Sequence, residues 1–308
     1  MIGRRMGMGA MAALGFGMMG TVPSRAASVA GKGDAGAGFG ALPASFAAIE
    51  RRVGGRLGVA VLDTATGQRA GYRETEPFPL TSTFKLLAAA AVLARVDAGQ
   101  ARLDQRIRYG REKLVAYSPE TGKHAGEEGM TLAAICEAAV TLSDNTAGNL
   151  MLEQVGGPAG LTAWLRSIGD GVTRLDRWET ALNEAKPGDP RDTTSPAAML
   201  ASLHQVTLGE VLSDKGRARL IDWLRANRTG DKRLRAGLPE GWRAGDKTGA
   251  GENGSNNDVG LLWPPHASPA GPAPVLVAAY STGSTADGAA RDAALAEVAA
   301  AIVAAKGH

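Results

Sequence analysis

The sequence predicts an α+β fold, with an antiparallel sheet formed from both chain ends, flanked by helices, and an all-helical lobe. Strand patterns occur near the N-terminus, at 56–63 and 69–72, and again near the C-terminus, at 246–263 and 275–280. Helical patterns fill the chain between them, from about residue 86 to about residue 225. We therefore expect the two chain ends to form one lobe and the middle of the chain to form the other.

The composition suits one large domain or two small ones, because 44% of the 308 residues are hydrophobic and 21% are charged. These values exclude a disordered chain. The net charge of +3 would suit an anionic partner, but residues 1–30 contain three arginines and no acidic residue. Without them the net charge is zero, so we expect no nucleic-acid partner.

Residues 1–30 have the order of a secretory signal peptide, with Arg4 and Arg5, an apolar stretch at 10–19, and then small residues. We therefore expect a periplasmic or secreted protein without stable membrane association. The Gly/Ala-rich residues 31–41 are predicted to be a flexible linker, and 42–308 one folded domain. Such a compact, near-neutral domain is expected to be a monomer.

The cysteine and histidine pattern gives no sign of a metal site. Cys136 is the only cysteine, which excludes an intramolecular disulfide, and its apolar surroundings indicate a buried thiol. The four histidines are scattered and do not have the spacing of zinc ligands. We therefore predict that the protein uses no metal and no cofactor.

Six helical segments and one long loop are predicted. The Ala-rich helix at 83–98 has no polar face, so it should be buried between other elements. Residues 174–192 mix Pro and Gly with charges and predict a functional loop. The other helical segments are 42–53, 131–154 (interrupted near 143–145), 196–206, 212–226 and 287–306.

The start of the buried helix carries a candidate nucleophile. Ser82 and Lys85 are three residues apart, which places them on one face of a helix. A desolvated, neutral lysine can accept the proton of such a serine. The pattern alone is weak, since Ser-x-x-Lys arises by chance about once per chain of this length. A capping serine followed by a lysine that reaches solvent is the alternative.

Two further motifs follow in order, namely Ser143-Asp144-Asn145 and Lys247-Thr248-Gly249. Each arises by chance in only roughly one chain of this size in fifteen to twenty. Together with Ser82-x-x-Lys85 they resemble the penicillin-recognising serine acyl-enzymes, which include class A β-lactamases and penicillin-binding proteins.

The long loop distinguishes these two branches. Its segment 174–184 resembles the omega loop of class A β-lactamases, in which a Glu and an Asn four residues later hold the hydrolytic water; here these are Glu179 and Asn183. Taken alone, Glu179 would be read as a solvated loop acid. The resemblance extends from residue 42 to the chain end. The other matching segments are 79–85, 117–119, 144–147, 191–194 and 246–251.

The resemblance implies hydrolysis of the β-lactam ring of penicillins and cephalosporins through a serine acyl-enzyme, giving antibiotic resistance. Ser82 would be the nucleophile, with the backbone N–H groups of Ser82 and Ala250 as the oxyanion hole. Either Lys85 or Glu179 would accept the Ser82 proton, and this choice stays open. Ser143 would relay a proton to the lactam nitrogen, and Glu179 would activate the water.

The resemblance also implies the substrate contacts. Lys247 would hold Ser143 and attract the substrate carboxylate, and Asn145 would bond the substrate's amide side chain. Tyr117 would pack at the cleft wall, although an exposed aromatic in a turn is the alternative. The implied substrate-binding residues are Tyr117, Asn145, Asn183, Arg233, Lys247, Thr248, Gly249 and Ala250.

Two positions depart from the pattern of many relatives. Asn256 stands where many have an arginine that binds the substrate carboxylate, and Arg233 resembles the alternative arginine of other members; a solvated charge is the other interpretation. Thr180 follows Glu179 where many have proline, and the resemblance implies a cis peptide bond there. Arg177 and Asp192 are expected to pair across the neck of the loop.

Two alternatives remain at this point. A D,D-peptidase or penicillin-binding protein would share the motifs, with Glu179 incidental. A covalent β-lactam sensor would also be acylated, although such domains usually accompany a membrane-spanning chain. Both would hold the acyl group, whereas a β-lactamase would release it.

Overall fold

The structure is a computed structural model that describes residues 38–265 and 273–307. The predicted signal peptide and residues 31–37 of the predicted linker lie outside these residues. The helices are α1 Gly38–Val53, α2 Phe84–Asp97, α3 Leu132–Thr141, α4 Asn145–Gln154, α5 Gly157–Ser167, α6 Pro196–Thr207, α7 Asp214–Arg225 and α8 Gly288–Lys306. The strands are β1 Arg56–Asp63, β2 Arg69–Tyr72, β3 Phe78–Pro79, β4 Arg106–Tyr109, β5 Gly126–Thr131, β6 Thr193–Thr194, β7 Arg243–Ala250, β8 Asn256–Trp263 and β9 Val275–Thr282.

The main sheet has five strands in the order β2-β1-β9-β8-β7, and every pair is antiparallel. Strand β1, the first within the described residues, pairs along its whole length with β9, the last of them, from Arg56 opposite Thr282 to Asp63 opposite Val275. This arrangement confirms the predicted α+β fold with a sheet formed from both chain ends. Strand β7 lies at one edge of the sheet.

Both faces of the sheet are covered, because side chains alternate along each strand. In β1, Val59 and Val61 join the apolar cluster that contains α1 and α8, whereas Ala60 and Leu62 join the cluster that contains α2. Every residue of α2 from Phe84 to Leu93 is buried, as predicted for a helix without a polar face. The candidate nucleophile lies in the turn at the start of this buried helix.

The predicted boundary of the linker at residue 41 was wrong, because α1 begins at Gly38. Phe39 is only 5% exposed and belongs to the cluster shared with α8. Burial of this ring accounts for a helical start in a segment that is otherwise rich in glycine.

The sequence analysis also missed α5 and four short strands. Helix α5 follows Gly156, which has a left-handed backbone, and buries Leu161 and Leu165 at a spacing of one helical turn. Strands β3 and β6 pair over only two residues, which is too short for an alternating pattern to be visible. Within the described ranges, no helix combines the length and apolarity that crossing a membrane requires.

Candidate active site

Ser82 lies in a short 3₁₀ turn, Thr81–Thr83, that leads directly into α2. The turn is fixed by Thr83, whose hydroxyl donates to the Leu80 carbonyl at 2.6 Å and lies 3.1 Å from the Tyr280 hydroxyl. The first N–H groups of a helix have no partner within the helix and carry partial positive charge. The Ser82 backbone N–H therefore lies where a developing oxyanion would be stabilised.

Lys85 lies at the centre of the site and is fully buried. Its Nζ is 2.7 Å from Ser82 Oγ, as the three-residue spacing predicted, and 2.7 Å from Glu179 Oε1. It also donates to Asn145 Oδ1 at 2.7 Å and to the Ser143 carbonyl at 3.0 Å. Burial lowers the pKa of Lys85, while the charge of Glu179 and its hydrogen bond oppose this shift.

Glu179 is buried, with Oε1 at 3.4 Å from Ser82 Oγ. Its other oxygen, Oε2, accepts a hydrogen bond from Asn183 Nδ2 at 2.5 Å. The solvated acid considered as an alternative is therefore excluded by the geometry. The peptide bond from Glu179 to Thr180 is cis, as predicted.

The backbone of Glu179 is held by Asn149, a residue that the sequence analysis missed. The Asn149 amide accepts from the Glu179 N–H at 2.9 Å and donates to the Glu179 carbonyl at 3.1 Å. Asn149 follows Asn145 by four residues on α4, so both amides lie on the same face. This spacing is the signal that could have identified it.

Asn183 has one buried atom that is available for a further contact. Its Oδ1 accepts no hydrogen bond from any residue that the structure describes, although its Nδ2 is bonded to Glu179. A buried amide oxygen beside a carboxylate can accept hydrogen bonds from a water molecule held between them.

The predicted pair at the neck of the loop is confirmed. Arg177 Nε donates to Asp192 Oδ2 at 2.5 Å, and Asp192 Oδ1 also accepts from the N–H groups of Asp176 and Arg177. Arg177 has a second carboxylate partner, Glu184, at 2.6 Å. Asp192 thus joins the two ends of the loop that carries Glu179.

We expect Asp192→Asn to lower the free energy of unfolding by about 3–5 kcal/mol, because one partner of a buried ion pair loses its charge while the other stays. Asp189→Asn is the matched control, since it changes a carboxylate of the same loop whose partner Arg191 is 46% exposed, and it should cost about 1 kcal/mol or less. Urea unfolding measures both values. Equal effects of the two substitutions would contradict a structural role for the buried pair.

Ser143 lies between Lys85, which donates to its carbonyl, and Lys247, which donates to its hydroxyl. Lys247 Nζ donates to Ser143 Oγ at 3.0 Å and to the Thr248 carbonyl at 2.8 Å. Ser143 has a left-handed backbone, with φ of 59°, in the short connection between α3 and α4. Burial lowers the pKa of Lys247 well below its usual range, and the neighbouring Lys85 lowers it further. The contact expected between Lys247 and Ser143 is present.

The end of β7 lies against the turn that carries Ser82. A Cβ atom on Gly249 would come within 2.1 Å of Thr81 Oγ1, and one on Gly251 within 2.7 Å of the Asn183 carbonyl. Neither position has room for a side chain. Because both residues are glycines, the backbone on either side of Ala250 can lie directly against the turn that carries Ser82 and the loop that carries Glu179.

Arg233 is not a solvated charge, because its side chain is only 13% exposed. Its Nε donates to Asp292 Oδ1 at 2.9 Å, and its Nη1 donates to the carbonyls of Gly249 and Asn257 at 2.8 Å each. Asn256 donates to the same Asp292 oxygen at 3.0 Å. The sequence analysis missed Asp292, which lies on α8 and far from Arg233 in sequence.

Tyr117 and Asn145 are two further residues that were predicted to contact the substrate. Tyr117 is 60% exposed and occupies a left-handed turn position whose carbonyl accepts from the Asn145 N–H. The Asn145 amide is already bonded at both ends, to Lys85 and to the Ala116 carbonyl. Only one N–H of that amide is left for a substrate.

The arrangement combines a hydroxyl in contact with a buried amine, a carboxylate beside both, and a second lysine-bound hydroxyl. These groups have the composition of an acyl-transfer site with a nucleophile, proton acceptors and a proton relay. A sequence profile described as "Beta-lactamase enzyme family" matches residues 41–305.

Curated proteins and solved structures agree with this match. The chain is 54% identical to Beta-lactamase FAR-1 of Nocardia farcinica over 220 residues, which is 71% of this chain and 70% of that protein. It is 50% identical to Beta-lactamase L2 of Stenotrophomonas maltophilia over 235 residues, 76% of each. A solved class A β-lactamase of the last common ancestor of Gram-negative bacteria is 64% identical, with a TM-score of 0.83, covering 86% of this chain and 99% of that one.

Proposed function

The chain belongs to the β-lactamase enzyme family, in its class A, and we propose that it opens the β-lactam ring through an acyl-enzyme on Ser82. As a member it is a hydrolase of β-lactams, an activity that confers antibiotic resistance. The observation that carries the proposed mechanism is the contact of one buried amine, Lys85 Nζ, with both Ser82 Oγ and Glu179 Oε1, each at 2.7 Å.

Acylation begins when Ser82 Oγ attacks the lactam carbonyl. The contacts favour Lys85 as the group that takes the hydroxyl proton, since it lies closer to Ser82 Oγ than Glu179 does. Lys85 must first be neutral, and its bond to Glu179 gives its proton a path to that carboxylate. The backbone N–H groups of Ser82 and Ala250 stabilise the oxyanion.

Collapse of the tetrahedral intermediate breaks the C–N bond of the ring. The lactam nitrogen then needs a proton, which Ser143 supplies, and Lys247, which donates to the Ser143 hydroxyl, restores the Ser143 proton. The proton that Glu179 took from Lys85 is released and replaces the one that Lys247 gave up, so Glu179 is a carboxylate again before the next step. The product of this step is an ester between Ser82 and the opened substrate.

Deacylation uses the loop carboxylate. Glu179 Oε2 and the free Asn183 Oδ1 together orient a water molecule, and Glu179 takes its proton as the oxygen attacks the ester carbonyl. The ester C–O bond breaks, the proton returns to Ser82 Oγ, and the product acid leaves. A penicillin-binding protein lacks this step, so the position of Glu179 favours a β-lactamase over that alternative.

We expect Arg233→Ala to raise the KM for a penicillin at least tenfold, with a smaller change in kcat, because the guanidinium is suited to bind the substrate carboxylate together with Lys247. Lys232→Ala is the matched control, as it removes an exposed cation from the adjacent position. Steady-state kinetics measure both constants. A KM equal to that of the unmodified protein would reject this role for Arg233.

The decisive test of the proposed function is hydrolysis of nitrocefin by the purified protein and by Ser82→Ala. We expect multiple turnovers by the former and none by the latter. A single stoichiometric burst followed by a lasting adduct on the unmodified protein would instead identify a D,D-peptidase or a covalent sensor.

We also propose that residues 1–30 direct export and are then removed, and that the mature protein works in the periplasm as a monomer. The charge and hydropathy order of these residues supports export. A monomer is supported because one chain supplies all the groups that the mechanism uses. N-terminal sequencing of the mature protein and light scattering test the two statements.

A further inference from the structure

Two aspartates in the main sheet lie close together behind the active-site strand. Asp246 on β7 and Asp258 on β8 are both fully buried. The strand register places Asp246 opposite Gly260, and Asp258 opposite Thr248. The two carboxyl groups are therefore diagonal neighbours on the same face of an antiparallel pair, a separation that side chains bridge.

Their hydrogen-bond partners are unequal. Asp246 accepts from the Arg235 guanidinium and from the Asn227 amide, so both of its oxygens are bonded. From the described part of the chain, Asp258 Oδ2 accepts only the Leu234 N–H, at 3.2 Å. Asp258 Oδ1 is buried and accepts no hydrogen bond from an N–H or hydroxyl group of any described residue.

We propose that Asp246 and Asp258 share a single proton, which resides on Oδ1 of Asp258 and is donated to the Asp246 carboxylate. A buried carboxylate with an unbonded oxygen beside a second carboxylate is strongly disfavoured, whereas a neutral carboxylic acid at the same place gains a hydrogen bond. The proton belongs on Asp258, because Asp246 already has the arginine and the amide as partners.

The electrostatics of the pair agree with this assignment. Burial raises the pKa of Asp258 well above its usual range, and the charge of Asp246 together with the hydrogen bond between the carboxyls raises it further. Arg233 and the Leu234 N–H act in the opposite direction. Because the two carboxyl groups are buried and lie next to each other, the pair carries one negative charge rather than two.

The shared proton affects the charge of the site that receives the substrate carboxylate, a consequence that rests on the proposed function. The neighbouring Lys85 and Glu179 form a pair without net charge. When Lys247 is protonated, the other cations around it are Arg233, Arg235 and Lys247 itself, and the other carboxylates are Asp246 and Asp292. The cluster then has one positive charge in excess, which matches one substrate carboxylate. Ionisation of Asp258 would cancel that excess.

Infrared spectroscopy of the full protein tests the proton directly and needs no turnover. We expect the unmodified protein at neutral pH to show the carbonyl-stretching band of a protonated carboxylic acid, shifted by labelling with ¹³C-aspartate and absent in Asp258→Asn. Absence of such a band from the labelled unmodified protein would overturn the proposal, whether or not the variant folds.

The pH dependence of stability is a second test. The unfolded chain loses the Asp258 proton near pH 4, whereas the folded protein keeps it to a higher pH. The folded state therefore binds one more proton, so the folding equilibrium constant falls tenfold per pH unit from about pH 4 up to the native pKa of Asp258. Asp258→Asn lacks this contribution, and its stability should rise relative to the unmodified protein over that range. Parallel curves for the two proteins would overturn the proposal.

A third measurement separates this inference from the proposed function. Asp258→Asn retains an N–H donor towards Asp246, so it should still fold, whereas Asp258→Leu removes the donor and should be less stable at every pH. Equal stability of the two variants would count against the shared hydrogen bond. Failure of nitrocefin hydrolysis would reject the proposed function and leave these spectroscopic and unfolding results unchanged.

Discussion

Glu179→Gln should convert the enzyme into one that is acylated once and then stops. The amide keeps the shape of the side chain but cannot take a proton from water, so the ester on Ser82 persists. We expect kcat for a penicillin to fall by about 10²–10⁴-fold, which is the range for loss of a general base. Mass spectrometry of the intact protein should show, at the shortest mixing time, a mass increase equal to the mass of the bound drug.

Glu210→Gln is the matched control, because Glu210 is exposed and the mechanism gives it no part. It should turn over like the unmodified protein and accumulate no adduct. Unchanged turnover by Glu179→Gln would reject Glu179 as the deacylation base. Loss of adduct formation in Glu179→Gln would show that Glu179, rather than Lys85, is needed to activate Ser82.

Lys85→Met should block acylation, the step that forms the ester on Ser82. Methionine fills much of the buried volume, but it offers no proton acceptor to Ser82 and no cation to Glu179. We expect the rate of adduct formation to fall by about 10²–10⁴-fold, without a trapped acyl-enzyme, because the ester is hardly formed. Stopped-flow measurement of nitrocefin ring opening follows this rate.

Lys113→Met is the control for this substitution, since Lys113 forms only a surface ion pair with Glu153. Its acylation rate should match that of the unmodified protein. The melting temperature of Lys85→Met should also be measured, because the substitution leaves the Glu179 carboxylate buried without a cation. Rapid accumulation of an adduct in Lys85→Met would eliminate Lys85 as the acylation base.

Much of the fold was predictable because its elements have strong local patterns. The apolar run of α2 predicted a buried helix, and the distribution of strands predicted a sheet joining the chain ends. The beginning of α1 was not predictable from composition, since burial of Phe39 against the other end of the chain decides it. The two-residue strands β3 and β6 have no visible period and exist through their pairing alone.

The residues of the candidate site also divide into those that the sequence could predict and those that it could not. Ser82 and Lys85 could be paired from their spacing, and the resemblance brought Glu179 to them. Asn149 could have been identified from its spacing of four residues from Asn145 on α4, but only once Asn145 was known to lie in the site. Asp292 could not have been identified, because its contact with Arg233 depends on how α8 meets a distant part of the chain. The proximity of Asp258 to Asp246 depends on the pairing register of β7 and β8, which the strand pattern alone does not give.

The pairing of β1 with β9 determines when the protein can become active during its synthesis. Strand β1 cannot pair with β9 until residues 275–282 have been synthesised, and Lys247 is also synthesised late in translation. Pairings of such large sequence separation form slowly. The main sheet of this protein therefore cannot be completed until nearly all of the chain has been made.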